Sequence, residues 1–118
     1  MPKVKKITDL SKFIEEVHNN AVDHGWHDEY KSFGDLLSLM HSELSEAMQE
    51  YRNSKCYHYY EEDKHLMLAP HGIAVELADC VLRIFDWAGL MGVDLESIIV
   101  EKHEYNKSRE FKHGGKLL

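Results

Sequence analysis

Residues 72–88 read GIAVELADCVLRIFDWA, and this stretch decides the fold. Ile73, Ala74, Val75, Leu77, Ala78, Cys80, Val81, Leu82, Ile84, Phe85, Trp87 and Ala88 cover a helix apolar nearly all round. Such a helix belongs in the middle of a bundle or at a subunit interface. Its exceptions are Glu76, Asp79, Arg83 and Asp86. At about 100° per residue these four fall within roughly 80° of one another, as one polar stripe on an apolar rod. Charges spaced this way through the most apolar stretch, Ile73 to Val93, are unsuited to lipid, so no membrane association is expected. Gly89 and Gly92 are expected to end the helix.

Three further helices flank it. Leu10, Phe13, Ile14, Val17 and Ala21 give one apolar stripe over Asp9–His24, with Thr8 or Asp9 as N-cap and Gly25 as terminator. Leu36, Leu37, Met40, Leu44, Ala47, Met48 and Tyr51 give another from about Phe33 to Arg52. Asp94 can cap a fourth helix running to about Glu110. Residues 54–71, with CYHYYEEDKH and Pro70, show no clean period. Eighteen residues is long for a structureless connection, so this segment is expected to be functional or partly helical. Tyr57, Tyr59 and Tyr60 within it suit base stacking or packing on a second subunit. With no repeat and no linker, residues 1–118 are expected to form one all-α, four-helix bundle-like domain.

The charge is distributed to match. The net charge is -7. Stable nucleic-acid binding is therefore not expected, since it needs a basic face to displace counterions, and no helix carries a basic face long enough to follow a groove. Cys56 and Cys80 match neither a disulfide framework nor a zinc-finger spacing, and the N-terminus lacks the apolar run of a signal peptide. A cytoplasmic protein with reduced thiols, Cys80 in the core, is expected.

Glu43 and Glu46 are spaced i, i+3 on the second helix, as are Glu76 and Asp79 on the third. Each pair lies on one helix face, one turn apart, so two helices can aim four carboxylates at one point. Two carboxylates about 4 Å apart repel by roughly 4 kcal/mol at an effective dielectric near 20. Four would favour a divalent cation, and all-oxygen ligands suit Mg2+ or Mn2+ rather than zinc. A di-iron centre is disfavoured, because it uses a Glu-x-x-His pair. For either motif alone the plainer readings are a solvated face for the first and an ion-pair stripe with Arg83 for the second. Arg83 and Asp86 fit the role of orienting the ligands. On the fourth helix Lys102, Tyr105, Asn106 and Arg109 share one face whose earlier positions are Leu95 and Ile98. The apolar start should pack on the core and the polar end should face an enclosed polar site, with Lys102 and Arg109 suited to phosphate. The alternative is a hydrated helix end with cations against its dipole. His113, Gly114, Gly115 and Lys116 could close over a phosphate.

ELSEAMQEYR at 43–52, GIAVELADCVLRIFD at 72–86 and KHEYNKSREFKHGGK at 102–116 resemble the MazG-like branch of the all-α nucleoside triphosphate pyrophosphohydrolases, over about His18 to Lys116. The resemblance implies a helical bundle working as a homodimer or homotetramer. It implies cleavage of (d)NTPs to monophosphate and pyrophosphate. It further implies Mg2+ on Glu43, Glu46, Glu76 and Asp79, and phosphate or sugar contacts from Lys102, Tyr105, Asn106 and Arg109. Lys116 would join them, and Trp26, after the first helix, would lie near the base. The chain departs from the family in having Ser42 where an acidic residue is common and in a long gap between Glu46 and Glu76. Glu43 or Glu46 is expected to be the general base. Two other readings stay open: a dUTPase-like enzyme with one preferred substrate, and a non-catalytic helical module with a structural metal site.

Overall fold

A computed structural model describes residues 4–53 and 56–109. Four helices, α1 (Leu10–Asp23), α2 (Phe33–Asn53), α3 (Ile73–Met91) and α4 (Leu95–Ser108), carry the fold, with a hairpin, β1 (Tyr59–Glu62) and β2 (Leu68–His71), between α2 and α3. The apolar α3 is central, packed by α1 on one side and α2 on the other. Phe13 meets Phe85 edge-on at 6.1 Å across the α1–α3 seam. The core is thin, as the chain length implies: Ile14, Met40, Ala47, Cys80 and Ala88 are the buried apolar residues among those described.

The helix starts follow local chemistry. Asp9 caps α1 by accepting from the Lys12 amide at 3.0 Å. Ser32 and Asp35 exchange reciprocal bonds at the start of α2, at 2.9 and 3.1 Å, the arrangement of a capping box with Asp in place of Glu. Asp94 caps α4 through the Ser97 amide. The end of α3 differs from expectation. The helix runs through Gly89 to Met91, and only Gly92, left-handed at φ 66°, stops it. Gly89 stays helical because it serves packing: a Cβ there would lie 2.4 Å from the Cβ of His18.

From Cys56 to His71 the connection before α3 is neither helical nor structureless. It is an antiparallel hairpin with Tyr59 opposite His71 and Glu62 opposite Leu68. Asp63 forms its tip by accepting from the amides of His65 and Met67. Tyr59 stacks on His71 and donates its hydroxyl to Glu50 of α2 at 2.9 Å, which pins the hairpin to the bundle. At its base the carbonyls of Cys56 and Tyr57 accept from the amides of Ile73 and Ala74. These carbonyls do for α3 what a capping side chain does elsewhere. Gly72 makes that approach work, at φ 118° and ψ 175°, a region essentially closed to other residues.

α4 is the outlier. It rests mainly on α1, tied there by Ser11, whose amide and hydroxyl both donate to Glu96. Leu95 is half-buried, but Ile98 is exposed, so the expected packing of its apolar start is only partial. No helix among the described residues is long and apolar enough to cross a membrane.

A Gly72→Ala change tests the hairpin anchor. A Cβ would stand 2.5 Å from the Tyr57 carbonyl oxygen. With the backbone strain added, the loss of stability is expected at about 2 kcal/mol or more, read by thermal or urea denaturation.

Candidate metal centre and cleft

The two carboxylate pairs come together across the α2–α3 seam, though not all four groups equally. Glu43, Glu46 and Glu76 each offer an oxygen within 4.8 Å of the others. Asp79 stands outside this triad, one turn further along α3, where it still feels the charge of Glu43. The expected convergence of four is therefore a triad with Asp79 as neighbour.

Glu43 is the buried member, 6% exposed. Its Oε1 accepts from Arg83 Nε at 2.8 Å. Its Oε2 is buried with no hydrogen-bond partner. A buried charged oxygen left so costs about 1–3 kcal/mol or more, which a cation at that point would offset. The donor set, three carboxylates with Asp79 in reserve, is all oxygen and fits Mg2+ or Mn2+.

Electrostatics within the triad follow from crowding. Burial pushes Glu43 up, but the hydrogen bond and charge of Arg83 outweigh it and hold Glu43 below the usual carboxylate range. Glu46 is raised, first by the Glu43 carboxylate beside it. Glu76 is pushed up to about 7 by burial and then by Glu46. Asp79 is raised by burial and by Glu43. Like charges this close oppose one another's ionisation, and a divalent cation among them would relieve that opposition.

Glu43, Asp79, Arg83 and Asp86 form one wall of a cleft of about 530 Å³. Phe13, Val17, Asn20 and Ala21 of α1 form the other, with Trp26 at the rim. Trp26 is 46% exposed, and the Arg83 guanidinium lies 4.9 Å from its ring. One arginine therefore orients the buried carboxylate and backs the tryptophan.

Asp86 is not bound to Arg83. His18 of α1 donates from Nδ1 to its Oδ1 at 2.9 Å, and His27 donates from Nε2 to both carboxylate oxygens at 2.9 Å. Sequence reading missed both histidines. They lie 68 and 59 residues from Asp86, and no local spacing joins them. The available signal was Asp86 itself, a carboxylate on an apolar helix in need of a partner. His41, exposed, is not part of either cluster.

Lys102, Tyr105, Asn106 and Arg109 do not face an enclosed site in this chain. All four are exposed, and the cleft is lined without them. Lys102 and Arg109 gather instead over the Tyr105 ring, at 4.7 and 5.8 Å. The helix ends at Ser108, short of Glu110, with Arg109 as its extended C-cap. Lys116 and the glycines before it lie outside the described residues. No family model, characterised protein or solved structure matches the chain.

The Glu76 shift has a sign that can be checked. A carboxyl whose folded pKa is raised favours the fold below its unfolded value and loses that contribution as pH rises through the folded one. Without divalent ions, stability should decline as pH rises from about 4.5 to about 7, the range in which the unfolded chain has lost the Glu76 proton and the folded chain still holds it. Glu76→Gln should flatten that decline in thermal melts, and wild type should regain the loss on adding Mg2+.

Proposed function

We propose that this chain is a Mg2+-dependent hydrolase that cleaves nucleoside triphosphates to monophosphate and pyrophosphate, in the manner of the MazG-like bundles it resembles. The observation that carries the reading is the unpartnered, buried Glu43 Oε2 inside a carboxylate triad, on the seam beside a cleft of about 530 Å³. That volume is of ligand size. Glu43, Glu46 and Glu76 would hold the ion, with Asp79 within reach of a second position. When bound, Mg2+ or Mn2+ supplies charge neutralisation on the phosphates and acidifies water.

The chain's residues divide the remaining work. Arg83 fixes Glu43 as a carboxylate and stiffens Trp26, whose exposed face offers a nucleobase a stacking surface. Glu46 is on the open side of the triad and accepts the proton of the attacking water. Lys102 and Arg109 are the cations suited to the leaving pyrophosphate. Since they do not line this cleft, they serve it across a homodimer or homotetramer. An apolar stripe supports such an assembly: Leu37, Leu44, Met48 and Tyr51 on α2, with Leu77 and Val81 on α3, are all exposed. A cytoplasmic nucleotide pool is the setting this reading calls for.

The deciding assay measures pyrophosphate release from a panel of ribo- and deoxyribonucleoside triphosphates with Mg2+. Turnover should require the ion and fall at least about 100-fold in Glu76→Gln. Arg109→Ala should lower turnover while leaving Mg2+ affinity intact. A folded, Mg2+-binding protein that turns over none of the panel, and is indifferent to Arg109→Ala, would instead favour a structural metal module. Sedimentation should show an oligomer that Leu44→Glu dissociates.

A further inference from the structure

The cluster around Asp86 lies apart from the carboxylate triad. Its three members come from three different segments: His18 from α1, His27 from the connection between α1 and α2, and Asp86 from α3. Each offers one ligand atom, and these atoms lie within 4.8 Å of one another. All three side chains are largely shielded, at 19%, 15% and 18% exposure. From Asp79 to Asp86 is two helical turns, or roughly 10 Å along α3.

We propose that His18, His27 and Asp86 form a binding site for one borderline divalent transition ion of the Zn2+ type, separate from the Mg2+ site. Two imidazoles and one carboxylate are a donor set that such ions prefer and that Mg2+ does not. Spacing agrees with the donor set. Tetrahedral ligands about 2.1 Å from such an ion stand roughly 3.4 Å apart, which these donors reach by opening about half an ångström. Both ring nitrogens lie 2.9 Å from Asp86 Oδ1. On binding, the protons now shared with Asp86 move to His18 Nε2 and His27 Nδ1, and the freed lone pairs turn to the ion. Asp86 lines the cleft of about 530 Å³, and with His27 it also lines a small pocket beside Trp26.

A second observation shows how the site is assembled. Gly89, one turn beyond Asp86, has no room for a Cβ: it would lie 2.4 Å from His18 Cβ and 2.8 Å from Cγ. Glycine inside a helix costs about 1 kcal/mol relative to alanine. Here it lets His18 close on α3 beside Asp86. Gly25, at φ 82°, makes the turn that brings His27 back to the same carboxylate. An ion at this point would tie α1 and the α1–α2 connection to α3.

The test uses Co2+ as probe on the full chain, with Mg2+ in large excess to occupy the carboxylates. Wild type should bind one Co2+ per chain, with visible absorption of nitrogen ligation, and Zn2+ should displace it and raise the melting temperature. His27→Gln and Asp86→Asn should each weaken binding more than about 10-fold. Gly89→Ala should weaken it while leaving all three ligands in the sequence. Glu76→Gln should leave it unchanged. Failure of folded wild type to take up Co2+ would overturn the proposal. Co2+ binding that survives His27→Gln and Asp86→Asn but is lost in Glu76→Gln would also overturn it, by assigning the ion to the carboxylates. Because the readout is spectroscopic and needs no substrate, the outcome is independent of whether the pyrophosphohydrolase assay succeeds.

Discussion

The ion pair between Glu43 and Arg83 joins α2 to α3, and much else depends on it. Glu43 is too buried to remain charged without a partner. Arg83 satisfies one of its oxygens and leaves the other buried without a hydrogen-bond partner among the described residues. The same guanidinium lies against Trp26, which sets the rim of the cleft. Removing Arg83 would thus disturb the seam, the carboxylate array and the aromatic surface together. Two members of the polar stripe of α3 are thereby paired in an apolar setting, Arg83 with Glu43 and Asp86 with His18 and His27.

Most of the helical frame was legible in the sequence because it is written in short-range terms. The apolar stripe of α1, the Asp9 and Asp94 caps and the paired i, i+3 carboxylates all depend on residues within two turns of each other. The approach of Glu43 and Glu46 to Glu76 could be read too, since α3 had only one polar face to offer, whereas the inclusion of Asp79 in the same group could not. The hairpin could not. Its strands are four residues each, too short for alternation to stand out, and Pro70 in β2 speaks against a strand unless it lies at an edge, as it does in a two-stranded sheet. The reading of Gly89 as a helix terminator failed for a different reason. A glycine that ends a helix and one that admits a neighbour's side chain look alike until that neighbour is known.

The polar stripe of α4 shows the limit of facial periodicity. Lys102, Tyr105 and Asn106 do share a side of the helix, but a shared side says nothing about what stands opposite. In this chain the helix is held by α1 near its start and its latter half is exposed. A stripe that turns from apolar to polar was read as core followed by pocket, whereas the fold gives a lightly packed start followed by exposed surface. The pairing of histidines with Asp86 escaped for the complementary reason: it joins three segments that no single helical wheel contains.

The hairpin between α2 and α3 is anchored at its base rather than along its length. The chain leaves the bundle near Cys56, returns at Gly72, and is clasped at both points by the same backbone bonds. Whatever lies between them is a closed excursion. The spacing of Glu43 and Glu46 against Glu76 in space is consequently set by helix packing and by the clasp, and is uncoupled from the number of residues the excursion contains. Length variation around the Asp63 tip is therefore a free evolutionary variable, open to insertion or trimming without altering the distance between the two carboxylate pairs.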